Sequence, residues 1–244
     1  MTKKMLLFSG PAISGKGTLI QATQQSIFEA TLGGRNFLPK NISWKDASCK
    51  THLYKLVQDF FLISEERFWE IYENRALKEK PLPEFRITLN PTEFKALEKL
   101  VGSLTIEGCN LYCKDFGGDI TINLSSRVSM IYLSEIVLKP RMGFNFFGRA
   151  RMHLIKNSSA DIFYDDSSSC FNGDSSELDG LVEHFGEDNI LLINILGRGT
   201  YSGDSRGYHP KGTVKHTHEL WNTVTEQEFL EEGYKVITQF LDTP

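Results

Sequence analysis

The stretch "LLFSGPAISGKGTLI", residues 6–20, decides how this chain is read. An apolar run, Leu6 to Phe8, leads into a turn in which Gly10, Gly15 and Lys16 fit the spacing G-x-x-x-x-G-K. Glycines at those places let the backbone bend so that its N–H groups point inward, toward where phosphate oxygens would sit. The helix expected next adds its positive N-terminal end, and the lysine neutralises the outer phosphates. Gly10, Ile13, Ser14, Gly15, Lys16, Gly17 and Thr18 are therefore the expected phosphate contacts. The bland alternative is a chance match in a glycine-containing turn. Both flanks argue against it, because an apolar run of buried-strand type precedes the loop and an amphipathic run follows.

Working outward, Leu19, Ala22, Thr23, Ile27 and Ala30 recur at helical spacing until Gly33-Gly34. Residues 50–77 read as helical, with Leu53, Leu56, Val57, Phe60 and Phe61 as the apolar stripe. "KEKPLPEFRITLNP" (78–91) reads as a loop or linker, and 92–101 as a short helix capped by Thr92. Residues 102–124 suggest a hairpin or an irregular insertion. A helix from 125 stopped by Pro140 and a second one over 145–156 follow. "DIFYDD" (161–166) is an apolar run ending in acids. "SSELDGLVEHFG" is a helix with Ser175 or Ser176 as cap and Gly186 as terminator, and "NILLINILG" (189–197) has the continuous apolar character of an interior parallel strand. A glycine-rich, arginine-bearing loop, a last strand near "HELWNTV" and a closing helix over 225–242 complete the chain. Strands alternating with helices predict an α/β domain with a parallel sheet of about five strands and helices on both faces.

The 244 residues are 40% hydrophobic and 11% aromatic, which suffices for a full core. A formal charge of -4 argues against a general polyanion binder, so no stable nucleic-acid partner is expected. No stretch is long and apolar enough for a membrane span. "MTKKMLLFSG" resembles a signal peptide only superficially, because its apolar run is short and passes straight into the glycine loop. The expected compartment is the cytoplasm, where the four cysteines stay reduced.

A Ser or Thr directly after the loop lysine would ordinarily ligate Mg²⁺. Here that residue is Gly17, and the hydroxyl comes one place later at Thr18. The register G-K-G-T is similar to that of adenylate kinases and related nucleoside monophosphate kinases, in which ATP and water hold most of the metal's coordination. No N-K-x-D guanine-selecting motif occurs. "SSRVSMIYLSEIVLKPRMGFNFFGRARMHLIK", then "DIFYDDSSS", then "ILGRGTYSGDSRGYHP", come in the order that resembles the bacteriophage deoxynucleoside monophosphate kinases. The resemblance covers the first twenty residues and about 125–230.

That resemblance implies a single P-loop NTPase-type kinase domain over 1–244. Its core would be 1–34 and 157–244, its mostly helical acceptor-binding insertion about 35–156, and its lid about 197–213. The implied cofactors are ATP and Mg²⁺, the implied partners are small-molecule nucleotides, and a homodimer is one assembly it allows. If phage-encoded, the protein would work in the host cytoplasm. Lys16, Arg127, Asp165, Arg198 and Arg206 would be catalytic, with Arg198 also on ATP. Arg127, Phe147 and Arg151 would bind the acceptor, and Asp165 and Asp166 would hold Mg²⁺ through water. One departure stands out. The family's arginine two residues after the strand-end aspartate is absent from "DDSSSC" (165–170), which leaves Arg149, Arg151, Arg198 or Arg206 to substitute.

Each residue has a bland rival. Arg127 would otherwise be a surface charge and Phe147 core. The acid pair would form a turn or cap, although an acid pair ending a buried strand points to the ligand crevice of an α/β sheet. Cys49-x-x-His52 and Cys109-x-x-x-Cys113 have zinc-ligand spacings but lie far apart, so buried or incidental thiols are preferred. His216 and His218 alternate as strand residues do. Two rival functions stand beside the kinase: a P-loop kinase of another acceptor, such as a polynucleotide 5′ end or a small metabolite, and a non-catalytic ATP-binding module.

Overall fold

A computed structural model describes residues 2–11, 13–32, 42–101, 118–143, 145–171, 173, 175–201 and 206–243. In chain order its elements begin with β1 (Lys4–Ser9), α1 (Lys16–Leu32), β2 (Trp44–Asp46), α2 (Cys49–Phe61), α3 (Glu65–Glu73) and α4 (Arg75–Lys78). Then come β3 (Arg86–Leu89), α5 (Pro91–Val101), β4 (Ile120–Asn123), α6 (Ser126–Ile131), α7 (Lys139–Met142) and α8 (Phe146–Lys156). The last part holds β5 (Ile162–Ser168), β6 (Cys170–Phe171), α9 (Asp179–Phe185), β7 (Ile190–Leu196), β8 (Arg206–Gly207), β9 (His216–Trp221) and α10 (Glu226–Leu241). The chain forms two compact units, Met1–Cys49 with Phe147–Pro244, and Lys50–Phe146.

The first unit is built on a five-stranded sheet in the order β2-β5-β1-β7-β9, with every neighbouring pair parallel. All six residues of β1 are buried, as a strand covered on both faces must be. Its alternation divides two cores. Leu6 and Phe8 join Ile193 and Ile195 against Leu19, Ile20 and Ile27 of α1 and Phe229 and Ile237 of α10. Met5 and Leu7 join Phe163 and Leu192 against Met152 and Ile155 of α8 and Leu181 and Phe185 of α9. The chain is thus an α/β protein with a parallel sheet flanked by helices. Thr225 and Glu228 form a capping box at the start of α10, and Lys4 Nζ donates at its far end to Phe240 O (2.7 Å) and to Thr243 O.

The second unit packs α2 to α7 and the antiparallel pair β3–β4 around Val57, Phe68, Ile71, Phe85, Leu97 and Leu133. Here the structure departs from the sequence reading in several places. The supposed linker 78–91 contains β3, whose partner β4 lies across the stretch 102–117. The helix at 91 is capped by Asn90, whose Oδ1 accepts from the N–H groups of Thr92 and Glu93 (both 2.9 Å), with Pro91 in the first turn where its missing N–H costs nothing. Pro140 does not stop its helix. The turns over Tyr132–Leu138 are π-helical, and Lys139 N–H bonds Ser134 O. That widening accommodates the proline ring, and the chain stays helical to Met142, ending at Gly143 with φ 90°. Phe60, expected on the apolar stripe, is 47% exposed. The reading of 102–117, with Cys109 and Cys113, and the Gly33-Gly34 stop lie outside the described residues.

Candidate functional site

Sheet topology singles out one end of the first unit. From β1 the chain crosses to the β2 edge, returns in β5 beside β1, then passes to β7 on the other side of β1. The strand order therefore reverses around β1. In open α/β sheets ligands bind at the carboxyl ends of the strands at such a switch point. The carboxyl end of β1 carries Gly10 to Lys16 and that of β7 carries Gly197 and Arg198; Asp165 and Asp166 lie further back, in the middle of β5, which runs on to Ser168.

The glycine loop is tightly built. Ile13 and Gly15 both have positive φ, 61° and 101°. A Cβ at Gly10 would stand 2.6 Å from Ser14 Oγ and 3.0 Å from Ile195 O; one at Gly15 would stand 2.7 Å from Asn222 Nδ2. At Gly15 the positive φ itself favours glycine, and at Gly10 a side chain would have to displace the Ser14 hydroxyl and crowd Ile195 O. Lys16 curls back over the turn, its Nζ donating to Gly10 O and Pro11 O (2.7 Å each) and to Ser14 Oγ (3.3 Å). A positive charge is thereby held within the turn, next to the start of α1. Leu19 N–H bonds Gly15 O, so the helix begins directly at the loop. Gly17 and Thr18 are exposed in its first turn. Asn222, just past β9, braces the loop by donating from Nδ2 to Ser14 O (2.8 Å). This brace escaped the sequence reading, because Asn after a strand looks like any turn residue.

Asp165 and Arg151 are brought together. Arg151 Nη1 donates to Asp165 Oδ2 at 2.6 Å, the two side chains being 2% and 1% exposed. Arg151 Nη2 donates to Glu177 O, and Ser167 donates to Asp165 Oδ1 from both N (2.7 Å) and Oγ (2.5 Å). Both carboxylate oxygens are thus engaged. Arg151 is the buried counter-ion of Asp165, and Asp165 shares its two oxygens between Arg151 and Ser167. Asp166 is half-buried at the next position. Phe147 is buried on the inner side of α8. Among the described residues no group of three or more His, Cys, Asp or Glu is placed to hold a metal ion.

Arg198 is exposed between Gly197 (φ 91°) and Gly199 (φ 75°), and Arg206 is exposed at the start of β8. The segment after Arg206 is fastened down. β8 pairs with β6, Tyr208 OH donates to Ile195 O (3.0 Å), and Cys170 Sγ donates to Tyr208 O. His209 is buried between two hydroxyls, with Ser168 Oγ 3.0 Å from Nε2 and Ser175 Oγ 2.9 Å from Nδ1; Asn194 Nδ2 donates to its carbonyl. Burial, with Arg151⁺ nearby, lowers the His209 imidazole to about 4, so it is neutral at pH 7. Ser175, expected as a helix cap, is this histidine's partner instead. The second half of the expected lid, 206–213, is therefore tied to the sheet end. Arg127 belongs to the second unit, where it opens α6 and lies 3.7 Å from Glu79 at the surface.

No protein-family model matches the chain, and no curated protein matches it. Among the described residues no helix is long and apolar enough to cross a membrane.

Proposed function

We propose that the chain is an ATP-dependent kinase that phosphorylates deoxynucleoside 5′-monophosphates to diphosphates, of the bacteriophage deoxynucleoside monophosphate kinase type, supplying nucleotides for DNA synthesis. The observation that carries this reading is the glycine loop at the switch point of the parallel sheet, with Lys16 strapped inside it. The loop fits a polyphosphate. Two glycines sit where a Cβ would be crowded, the backbone is turned by positive φ at residues 13 and 15, and a cation and a helix N-terminus share the same turn. Gly10, Ile13, Ser14, Gly15, Lys16, Gly17 and Thr18 would hold the phosphates of ATP.

Mg²⁺ would add charge neutralisation between the phosphates. Gly17 offers it no hydroxyl and Asp165 is engaged by Arg151 and Ser167, so direct ligation by those two residues is not part of the proposal. Phosphoryl transfer between two anionic groups needs in-line positioning, positive charge and exclusion of water. Lys16 supplies charge at the donor. Arg198 and Arg206 would offer forked donors suited to phosphate, and the resemblance would give Arg127 the acceptor phosphate. An acceptor phosphate is already nucleophilic at neutral pH, so no side chain need act as a general base.

A coupled assay of ADP formation with ATP, Mg²⁺ and each of the four deoxynucleoside monophosphates, beside a control without acceptor, tests the reading. Turnover that depends on an acceptor supports it; ADP formation at one rate with or without acceptor refutes it. The engagement of Asp165 by Arg151 favours a second reading, an ATP-binding module without transferase activity. Arg127→Ala separates the two: a kinase loses acceptor turnover and keeps ATP binding, whereas a module is unaffected.

A further inference from the structure

Behind the glycine loop lies a group of buried polar atoms that the loop's own contacts leave unsatisfied. Ser9, the last residue of β1, and Asn194 on β7 stand side by side in the sheet register. Both are buried, and both follow the alternation that directs Met5, Leu7 and Leu192 toward α8 and α9. Neither Ser9 Oγ nor Asn194 Oδ1 has a hydrogen-bond partner. The same holds for the hydroxyl of Tyr201, which is buried although Tyr201 lies in the segment that leaves β7 past Arg198. Its ring packs edge-on against Tyr208, with 5.1 Å between centroids, and Tyr208 is itself bonded to Ile195 O. The phenol is thus held over the root of the glycine loop. Burial pushes it up to about 12, and the neighbouring Ser9 hydroxyl, Arg206 charge and Gly10 backbone oppose that shift. Tyr201 therefore stays protonated; Ser9 and the Gly10 backbone are near enough to act on its titration as hydrogen-bonding groups, yet its hydroxyl meets no partner at full hydrogen-bond distance and angle.

Buried polar groups without partners are uncommon in native proteins, and one such group costs about 1–3 kcal/mol. Three at one spot, contributed by β1, β7 and the segment after β7, call for a state in which they are satisfied. In sites that reorganise around a ligand, functional hydrogen bonds are often long or misaligned beforehand and tighten in the complex. Gly10 is the pivot here, since it follows Ser9 directly and its carbonyl accepts from Lys16.

We propose that Tyr201 is a positioning residue for the glycine loop: when a nucleotide triphosphate occupies the loop, the Tyr201 hydroxyl completes its hydrogen bonding with Ser9 and the Gly10 backbone and so fixes the Arg198 segment against the loop. This rests on the reading of the loop as a nucleotide site. The residue acts through Ser9 and Gly10 and touches no reacting atom.

A double-mutant cycle tests it in the full chain, with Tyr201→Phe, Ser9→Ala and the combined variant. Each protein is titrated with a fluorescent ATP analogue, and its denaturation midpoint is measured without nucleotide. The expected result is a three- to tenfold loss of affinity in Tyr201→Phe, the range of one hydrogen bond. The Ser9→Ala loss should overlap it, so that the combined variant is weaker than the native chain by less than the product of the two. Without nucleotide the midpoint of Tyr201→Phe should be unchanged or higher, since the deleted hydroxyl has no partner there. A residue serving stability alone would lower that midpoint and leave the affinities multiplicative. Affinity of Tyr201→Phe within twofold of the native chain, or independent losses in the cycle, overturns the inference and leaves the nucleotide reading standing. If the native chain itself fails to bind the analogue, and Lys16→Ala is no different, the nucleotide reading fails and the inference falls with it.

Discussion

Arg151 and Asp165 form a buried ion pair, 2.6 Å from Nη1 to Oδ2, that joins α8 to the middle of β5. Two charges removed from water attract strongly, but their desolvation nearly cancels the gain. Deleting one partner strands the other. Arg151→Met is therefore expected to destabilise the first unit by about 3–5 kcal/mol, read as a shift of the chemical-denaturation midpoint. Adding Asp165→Asn should restore much of the loss, because no uncompensated charge is then left inside. A single variant as stable as the native chain would show that the pair contributes nothing, and Asp165 would return as a candidate for chemistry.

The His209 imidazole gives the fold a pH dependence with a defined sign. Its folded value, about 4, lies below the ordinary 6.5, and burial is the main cause, with Arg151⁺ second. Between those values the unfolded chain binds more protons, so stability falls as pH drops from about 6.5 to about 4 and levels off below. The full effect is on the order of 3 kcal/mol, at 1.36 kcal/mol per pKa unit. Replacing the ring by Gln removes this titration. The slope of stability against pH near 5 should be smaller in His209→Gln than in the native chain by up to about 1.4 kcal/mol per pH unit. Equal slopes would place the imidazole in contact with solvent.

The parts of this architecture legible in the sequence are those governed by local patterns. β1, the turn after it and α1 are legible because an apolar run, two spaced glycines and a helical period each stand within a dozen residues. β7 and α10 announce themselves in the same way. What escaped depends on partners far along the chain. β3 sits in a proline-rich stretch and becomes a strand only by pairing with β4, more than thirty residues on. Pro140 looked like a stop because nothing local announces a π-helical turn. The partner of the Asp165 carboxylate, Arg151, lies on another element, and an ion pair across a core has no local signature. His209 and Asn222 looked like loop residues, and only the fold shows one wedged between Ser168 and Ser175 and the other bracing Ser14.

Gly15 and Gly17 lie two residues apart and should respond oppositely to substitution. At Gly15 a side chain would need a φ of 101° and would meet Asn222 Nδ2 at 2.7 Å; at Gly17 a Cβ meets nothing within 4 Å. Gly17→Ser should fold with a midpoint within about 0.5 kcal/mol of the native chain, as surface substitutions do. Gly15→Ala forces an L-residue into a strained region, at about 1–2 kcal/mol before the contact is counted. The free loop relieves that strain by leaving its present shape, so ATP affinity should fall by about five- to twenty-five-fold, at 1.4 kcal/mol per factor of ten. Titration of both variants with ATP checks the contrast. Native affinity in both variants would mean that the loop tolerates side chains at either glycine and that its tight geometry is incidental.

Asn222 offers the last prediction, because it supports the loop from outside it. Its Nδ2 donates to Ser14 O across 208 residues of sequence. Asn222→Ala leaves a buried carbonyl without that donor, which costs about 1–3 kcal/mol if the loop stays in place. Loop movement would relieve that cost and displace the N–H groups proposed to face phosphate. Either way ATP binding should weaken several-fold. The effect is confined to the donor side, so KM for the deoxynucleoside monophosphate should not change while KM for ATP rises. Initial rates with each substrate varied in turn separate these terms. A rise confined to the acceptor KM would contradict a brace acting through Ser14, and would move Asn222 from the loop's support to the acceptor's site.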